Sequence, residues 1–156
     1  MLYLLIGWQG NLLSGGGQIP TPVLQRPWTT TMTKRAVLVI DDDDDVLFLV
    51  EYALKHLGFE VACARESEAG IALFRERQAA ATPFTAVITD LNIPGGPSGR
   101  ETVRRLRELD ETVKVFVSSG YPDDPCMRDF AAYGFAGAIA KPVTVEELLA
   151  SFVTRL

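Results

Sequence analysis

A regular alternation governs the chain from residue 34 onward: five short apolar runs are each followed by a longer stretch with helical spacing. Continuous apolar runs are typical of strands buried on both faces, as in parallel sheets whose connecting helices cover both sides. The predicted strands are residues 36–40, 59–64, 85–89, 113–118 and 137–140. This order predicts an α/β fold with a doubly wound, five-stranded parallel sheet and right-handed crossovers.

The stretches between and after the strands carry helix signals. The first helix ends before Gly58, which suits the position just past a helix end. The second helix is predicted over residues 67–80, with Ile71, Ala72 and Phe74 in the core. The sequences "SGRE" and "TVEE" are capping boxes that open the third and fifth helices. The third, fourth and fifth predicted helices cover residues 98–110, 124–133 and 144–156.

Polar side chains stand at the carboxyl ends of four of the five strands. Ligands of open parallel sheets bind outside these ends, so the residues there are candidates for a functional site. They are Asp41 and Asp42 after the first strand, Asp90 at the third, Ser118 and Ser119 at the fourth, and Lys141 after the fifth. All are predicted to project to the same edge of the sheet.

The first strand is followed by five consecutive aspartates, Asp41 to Asp45. Adjacent carboxylates repel each other by roughly 4 kcal/mol per close pair at an effective dielectric constant of about 20. Two interpretations are open at this point. The run is either a solvated acidic turn or a set of ligands for a shared divalent cation, which converts the mutual repulsion into attraction.

Composition argues against several classes of function. A formal net charge of -5 lacks the electrostatic footprint of a nucleic-acid-binding protein. Cys63 and Cys126, the two cysteines, belong to no metal-binding motif, and we expect both to be buried thiols without a disulfide. His56 is the single histidine and sits in a last helical turn, where a basic side chain is ordinary. Histidine-dependent triads and multi-histidine metal sites are therefore not expected.

The first 32 residues differ from the rest of the chain. They contain one charged residue, Arg26, and both tryptophans. Their longest apolar stretch is too short to span a bilayer, and they lack the basic start of a signal peptide. We therefore expect residues 1–32 to be a poorly ordered extension or linker and residues 33–156 to form the folded domain. Met32 is a candidate for the true translation start.

Four motifs occur in order along the chain: "VLVIDDDDDV", "AVITDLNIPGG", "VFVSSGY" and "AIAKPV". Together they resemble the receiver domain of two-component response regulators, over residues 34–156. The resemblance implies a flavodoxin-like sheet of order 2-1-3-4-5 and a cytoplasmic signalling role. It implies no enzymatic activity beyond slow self-catalysed phosphoryl transfer and dephosphorylation. The implied partners are a sensor histidine kinase or a histidine phosphotransfer protein and a downstream protein, with no nucleic acid and no membrane.

The resemblance also assigns roles to the residues at the strand ends. Asp90 is the implied phosphoacceptor, which attacks a phosphohistidine once the charge on the phosphoryl group is neutralised. The implied Mg²⁺ ligands are Asp41, Asp42, Asp90 and the main-chain carbonyl of Asn92. Ser119 and Lys141 are the implied contacts of the phosphoryl group. Residues 43–45 are interpreted as the solvated start of a helix, where carboxylates interact favourably with the helix dipole.

Two departures from the commoner receiver pattern stand out. The loop between Asp90 and Gly99 is one residue longer than usual, and this form together with "SGY" is similar to receivers attached to hybrid sensor kinases. The position in the fifth strand that often holds a switching aromatic residue is Ala138. The usual coupling between a serine and an aromatic side chain therefore cannot operate unchanged, and Tyr121 or Tyr133 is a candidate replacement.

Other functions compete with this interpretation. A haloacid dehalogenase-type phosphatase also uses an aspartyl phosphate, Mg²⁺, a serine and a lysine. Its motif is Asp-x-Asp-x-Thr/Val, whereas here Asp41-x-Asp43 is followed by Asp45. A flavodoxin-like flavin binder needs a phosphate-binding loop where this chain has aspartates. A pseudo-receiver that only binds proteins is disfavoured by the intact acids and lysine. For a receiver, the expected output surface is the fourth helix, the fifth strand and the fifth helix.

Overall fold

The computed structural model describes residues 35–156, so the predicted extension and the candidate start at Met32 lie outside the described residues. Five strands form one parallel sheet of order β2-β1-β3-β4-β5, which confirms the predicted fold class and strand order. The strands are β1 (Ala36–Ile40), β2 (Glu60–Ala64), β3 (Ala86–Asp90), β4 (Lys114–Ser119) and β5 (Gly137–Ala140). No helix in the described part of the chain is long and apolar enough to cross a bilayer.

Helices connect the strands and cover both faces of the sheet. They are α1 (Asp44–His56), α2 (Ser67–Ala79), α3 (Gly99–Leu109), α4 (Pro125–Arg128) and α5 (Val145–Glu147). A 3₁₀ turn, Phe130–Tyr133, follows α4. After α5 the chain continues as a π-helical turn, Leu148–Phe152, and a final 3₁₀ turn, Val153–Arg155.

Each face of the sheet carries its own hydrophobic core, because successive side chains of a buried strand point to opposite sides. From β1, Leu38 and Ile40 pack into the core that includes residues of α2, α3 and α4. Val37 and Val39 pack into the opposite core, with residues of α1 and of the C-terminal helical turns. Covering both faces leaves the carboxyl edge of the sheet as the place where polar side chains gather.

The predictions for the second and fourth helices were wrong in detail. Ala72 is exposed, whereas Ile71 and Phe74 are buried as predicted. Each helical residue turns the side chain by about 100°, which carries Ala72 away from the face that Ile71 and Phe74 share. The predicted fourth helix is interrupted at Asp129, whose φ of -126° and ψ of 56° lie outside the helical region.

The capping predictions hold for the serine and threonine. Ser98 Oγ accepts a hydrogen bond from the Glu101 N–H, and Thr144 Oγ1 accepts one from the Glu147 N–H. Each satisfies a donor that the helix itself leaves unpaired. The fifth helix begins at the predicted place, but regular α-helical hydrogen bonding ends after Glu147, well before the predicted end at residue 156.

Candidate functional site

Asp41 and Asp90 lie side by side at the carboxyl ends of two neighbouring strands. β1 pairs with β3 so that Ile40 lies opposite Thr89, which brings the two following aspartates together. Both side chains are buried, with exposed fractions of 2% for Asp41 and 8% for Asp90. Lys141 bridges them, since its Nζ lies 2.8 Å from Asp41 Oδ2 and 3.0 Å from Asp90 Oδ2.

Asp42 completes an acidic cluster at this edge. One carboxylate oxygen from each of Asp41, Asp42 and Asp90 lies within 4.8 Å of the others, and Asp42 is exposed. The cluster has three carboxylates, and Lys141 pairs with two of them, so among the described residues the carboxylates outnumber the cations paired with them. Oxygen ligands of this kind are those that Mg²⁺ and Ca²⁺ prefer, so the donor set fits a divalent cation.

Burial and the lysine act in opposite directions on the site. Burial raises the pKa of Asp41, and the hydrogen bonds from Lys141 and from the Asp43 N–H offset only part of that rise. Burial also acts to lower the pKa of Lys141, but the hydrogen bonds to Asp41 and Asp90 outweigh it, so this pKa is raised. Lys141 is therefore held as a cation between the two carboxylates.

Ser119 lies on the wall of a cavity beside the bridge. This cavity is lined by Asp90, Asn92, Ser119, Gly120, Tyr121 and Lys141. Ser119 is buried, and its Oγ accepts a hydrogen bond from the Tyr121 N–H at 3.1 Å, which leaves the hydroxyl proton free to be donated. The Asn92 N–H donates to Asp90 Oδ1 at 3.3 Å. The structure thus brings all of the predicted site residues to one edge of the sheet.

The remaining aspartates of the acidic run have a different use. Asp43 is the N-cap of α1, and its Oδ1 accepts hydrogen bonds from the Asp45 N–H at 2.9 Å and the Val46 N–H at 3.4 Å. Asp44 lies in the first turn, where Arg65 approaches its carboxylate to 3.3 Å. Residues 43–45 therefore start the helix, as predicted.

Two residues that support the site were missed at the level of sequence. A Cβ on Gly99 would lie 2.7 Å from the main-chain oxygen of Asp90, so only glycine fits against the end of β3 at this point. Ser67 is buried, and its Oγ donates to the Pro97 main-chain oxygen at 2.8 Å, which anchors the loop after β3. The glycine-rich "GGPSG" in that loop was the available signal for Gly99; Ser67 had none.

A doubly wound sheet of this order, with an acidic pocket and a lysine at its carboxyl edge, defines a class of phosphoacceptor signalling domain. A model of the family described as the response regulator receiver domain matches residues 37–153. The chain belongs to this receiver family of two-component systems, which confirms the predicted function. Members of the family exchange phosphoryl groups with histidine kinases or phosphotransfer proteins, and the family is one of signalling domains.

Individual relatives agree with this assignment. The chain is 45% identical over 121 residues to the virulence sensor protein BvgS of Bordetella pertussis, covering 72% of the chain and 9% of BvgS. It is 36% identical over 124 residues to the transcriptional regulatory protein PrrA of Mycobacterium tuberculosis, covering 78% of the chain and 49% of PrrA. The chain thus spans between about a tenth and a half of the curated relatives it matches.

Among solved structures, a response regulator from Burkholderia pseudomallei with a phosphorylated aspartic acid, calcium ion and citrate is 26% identical, with a TM-score of 0.63. The match covers 76% of this chain and 66% of that one. The phosphatase alternative gains no support from any of these similarities. It also needs the Asp43 carboxylate in the site, whereas that carboxylate caps α1.

Proposed function

We propose that Asp90 accepts a phosphoryl group from a phosphohistidine on a sensor kinase or phosphotransfer protein, and that this switches a protein-interaction surface. The observation that carries the proposal is the Lys141 bridge to Asp41 and Asp90 beside a cavity that Ser119 also lines. A nucleophile, a fixed cation and a hydroxyl donor within one cavity are the groups that phosphoryl transfer to a carboxylate requires.

Asp90 is the best placed of the three carboxylates to act as the nucleophile. It lines the cavity, whereas Asp41 is almost fully buried and is not among the residues that line it. Asp42 lies outside the cavity walls, beside Arg65. Asp90 therefore combines partial shielding from water with access to an incoming group.

The acidic cluster fits Mg²⁺ as the cation, held by Asp41, Asp42, Asp90 and the main-chain carbonyl of Asn92 with water in the other positions. When bound, the ion neutralises charge on the carboxylates and on the transferring phosphoryl group. Asp42 supports this role, because its exposed carboxylate is close to two others and forms no ion pair among the residues that the structure describes.

The donor histidine supplies both the phosphoryl group and the leaving group of the transfer. An Asp90 carboxylate oxygen attacks phosphorus as the bond from phosphorus to the imidazole nitrogen breaks, and the imidazole, already protonated at its other nitrogen, leaves as a neutral ring. Lys141 then pairs with a phosphoryl oxygen, and the Ser119 hydroxyl donates a hydrogen bond to another. Slow attack of water on the acyl phosphate returns the carboxylate, which resets the site.

Phosphorylation replaces the single negative charge of the Asp90 carboxylate with a phosphoryl group that carries about 1.5 to 2 negative charges. Movement of the Ser119 hydroxyl toward the phosphoryl group breaks its hydrogen bond with the Tyr121 N–H, so the loop after β4 is freed to move. With Ala138 in place of an aromatic residue, we infer that Tyr121, 70% exposed, reports the change to the surface formed by α4, β5 and α5. The proposal also includes a domain that begins at residue 33 and a cytoplasmic location, where sensor kinases and phosphotransfer proteins carry phosphoryl groups on histidine.

Acetyl phosphate provides the direct test. Incubation of the chain with acetyl phosphate and Mg²⁺ is expected to add one phosphoryl group, detected by intact mass and mapped to Asp90 after reductive trapping. Asp90→Asn is expected to lose the adduct, whereas Asp45→Asn, which changes an exposed carboxylate in the first turn of α1, keeps it. An adduct that persists in Asp90→Asn, or sustained turnover of many phosphate esters, would contradict the proposal.

A further inference from the structure

Ser118 carries a buried hydroxyl that the function described above leaves unused. Its side chain is only 2% exposed, and its Oγ has no hydrogen-bond partner among the residues that the structure describes. In the sheet, Ser118 lies between Asp90 of β3 on one side and Ile139 of β5 on the other. A hydroxyl without a partner is costly to bury, so its place beside the phosphoacceptor needs an explanation.

Strand geometry shows which face of the sheet the hydroxyl occupies. Side chains two residues apart share a face, so Ser118 lies on the same side as Phe116, in the core that also holds Ile139. Lys141 follows Ile139 by two residues, and its N–H continues the ladder by donating to the Ser119 oxygen. Lys141 therefore projects on the same face as Ser118.

The strand order then determines the path of the lysine. β4 lies between β5 and β3, so the Lys141 side chain must cross the end of β4 to reach Asp90 and Asp41. Ser118 is the last residue of β4 on that face. This path would take the aliphatic part of Lys141 over Ser118, a cover that would keep water from a hydroxyl so close to the edge of the sheet.

We propose that Ser118 is a positioning residue that weakens the resting Lys141 bridge and thereby favours the phosphorylated state. The unpartnered hydroxyl destabilises the arrangement in which Lys141 covers it. Withdrawal of the ammonium toward the phosphoryl oxygens uncovers the hydroxyl, which then finds water or the lysine as a partner. The inference rests on the proposed function, because it takes Lys141 as the group that follows the phosphoryl group.

The test compares Ser118→Ala with Ser67→Ala, since both remove a buried serine hydroxyl but, within residues 35–156, Ser67 has a partner and Ser118 has none. Without Mg²⁺ or a phosphoryl analogue, Ser118→Ala is expected to raise Tm by a few degrees and Ser67→Ala to lower it. Affinity for beryllofluoride in the presence of Mg²⁺ is expected to fall about tenfold in Ser118→Ala. In this variant the resting state, with Lys141 bridging Asp41 and Asp90, is more stable, so beryllofluoride has to displace a more stable bridge.

A Lys141→Ala variant shows whether the effect of Ser118→Ala depends on the lysine. In Lys141→Ala the cover over Ser118 is removed, so adding Ser118→Ala is expected to leave Tm unchanged. The inference is overturned if Ser118→Ala lowers Tm as Ser67→Ala does, if its effect persists without the lysine, or if beryllofluoride affinity stays at the wild-type value. If wild type also fails to bind beryllofluoride, the proposed function fails instead, and the Tm comparison still decides whether Ser118 weakens the bridge.

Discussion

The two halves of the sheet differ in the regularity of the helices that follow their strands. α1 and α2 have 13 residues each and α3 has 11, whereas α4 has four and α5 three before the backbone changes to 3₁₀ or π geometry. The carboxylates of the site come from the regular half, at β1 and β3. Ser119 and Lys141 come from the irregular half, at β4 and β5.

This difference suits a switch. Long helices with complete hydrogen-bond ladders hold the acidic pocket in one place, which keeps the carboxylates close together in spite of their repulsion. Short helical turns have fewer bonds to break, and such segments open at lower free-energy cost. If Asp90 is phosphorylated, we therefore expect the irregular half to rearrange. Lys141, from the irregular half, pairs with Asp41 and Asp90 of the regular half.

Replacing Lys141 by methionine should have the largest effect on this link. The change leaves the buried Asp41 and Asp90 without their cation, and we expect a loss of about 3 kcal/mol in the free energy of unfolding without Mg²⁺. Added Mg²⁺ should restore part of the loss. Urea denaturation with and without Mg²⁺ measures both. Lys55→Met, at an exposed ion pair with Glu51, is the control and should have no measurable effect.

An equal loss in Lys55→Met would show that the effect is not specific to the acidic pocket. A loss in Lys141→Met that Mg²⁺ does not relieve would show that Mg²⁺ does not replace the ammonium there.

Gly99→Ala tests the rigid half. The new Cβ would lie 2.7 Å from the Asp90 main-chain oxygen, and we expect a loss of about 1–3 kcal/mol together with weaker beryllofluoride binding, because β3 must shift. Gly96→Ala, in the same loop, has open space around the new Cβ and should be close to neutral. Chemical denaturation measures the stability of the two variants, and titration with beryllofluoride measures their binding. Similar results for Gly99→Ala and Gly96→Ala would contradict the role given to Gly99.

The reactivity of the two cysteine thiols tests the smallest expected difference between the two halves. Burial, and then the charge of Glu51, raise the pKa of Cys63 to about 11, so its thiolate fraction at pH 8 is about one in a thousand. We expect alkylation of Cys63 by iodoacetamide to accelerate about tenfold per pH unit from pH 7 to 10. Cys126 is fully buried in α4, and its alkylation should also require opening of that helix.

Single-cysteine variants, Cys63→Ala and Cys126→Ala, separate the two reactions by intact mass. Cys126 should react several-fold more slowly than Cys63 in the native protein and should catch up when mild urea opens α4. Equal rates at every pH would mean that α4 is open in the native state.

Local patterns were sufficient for most of the fold. The bounds of β1 and β5 match the prediction residue for residue, because an apolar run bounded by charge or glycine leaves little choice of strand. The prediction was wrong where local signals did not carry the answer. Ala72 is apolar but small, so its exposure costs little. Asp129 leaves the helical region although residues 124–133 have a helical pattern.

The candidate site was predictable as a set of residues and not as a set of contacts. Strand ends and the order of motifs were enough to name Asp41, Asp42, Asp90, Ser119 and Lys141. The contact of Lys141 with both Asp41 and Asp90, the use of Asp43 as a helix cap and the isolation of the Ser118 hydroxyl emerge only in three dimensions.

The spacing of neighbouring residues was enough to predict the alternation of strands and helices, the capping residues and the edge of the sheet at which polar groups gather. The three-dimensional arrangement was needed to show which oxygens share the lysine and that the Ser118 hydroxyl has no partner among the described residues. Lys141 and Asp90 are 51 positions apart, and their meeting depends on strand order and on the face to which each side chain points.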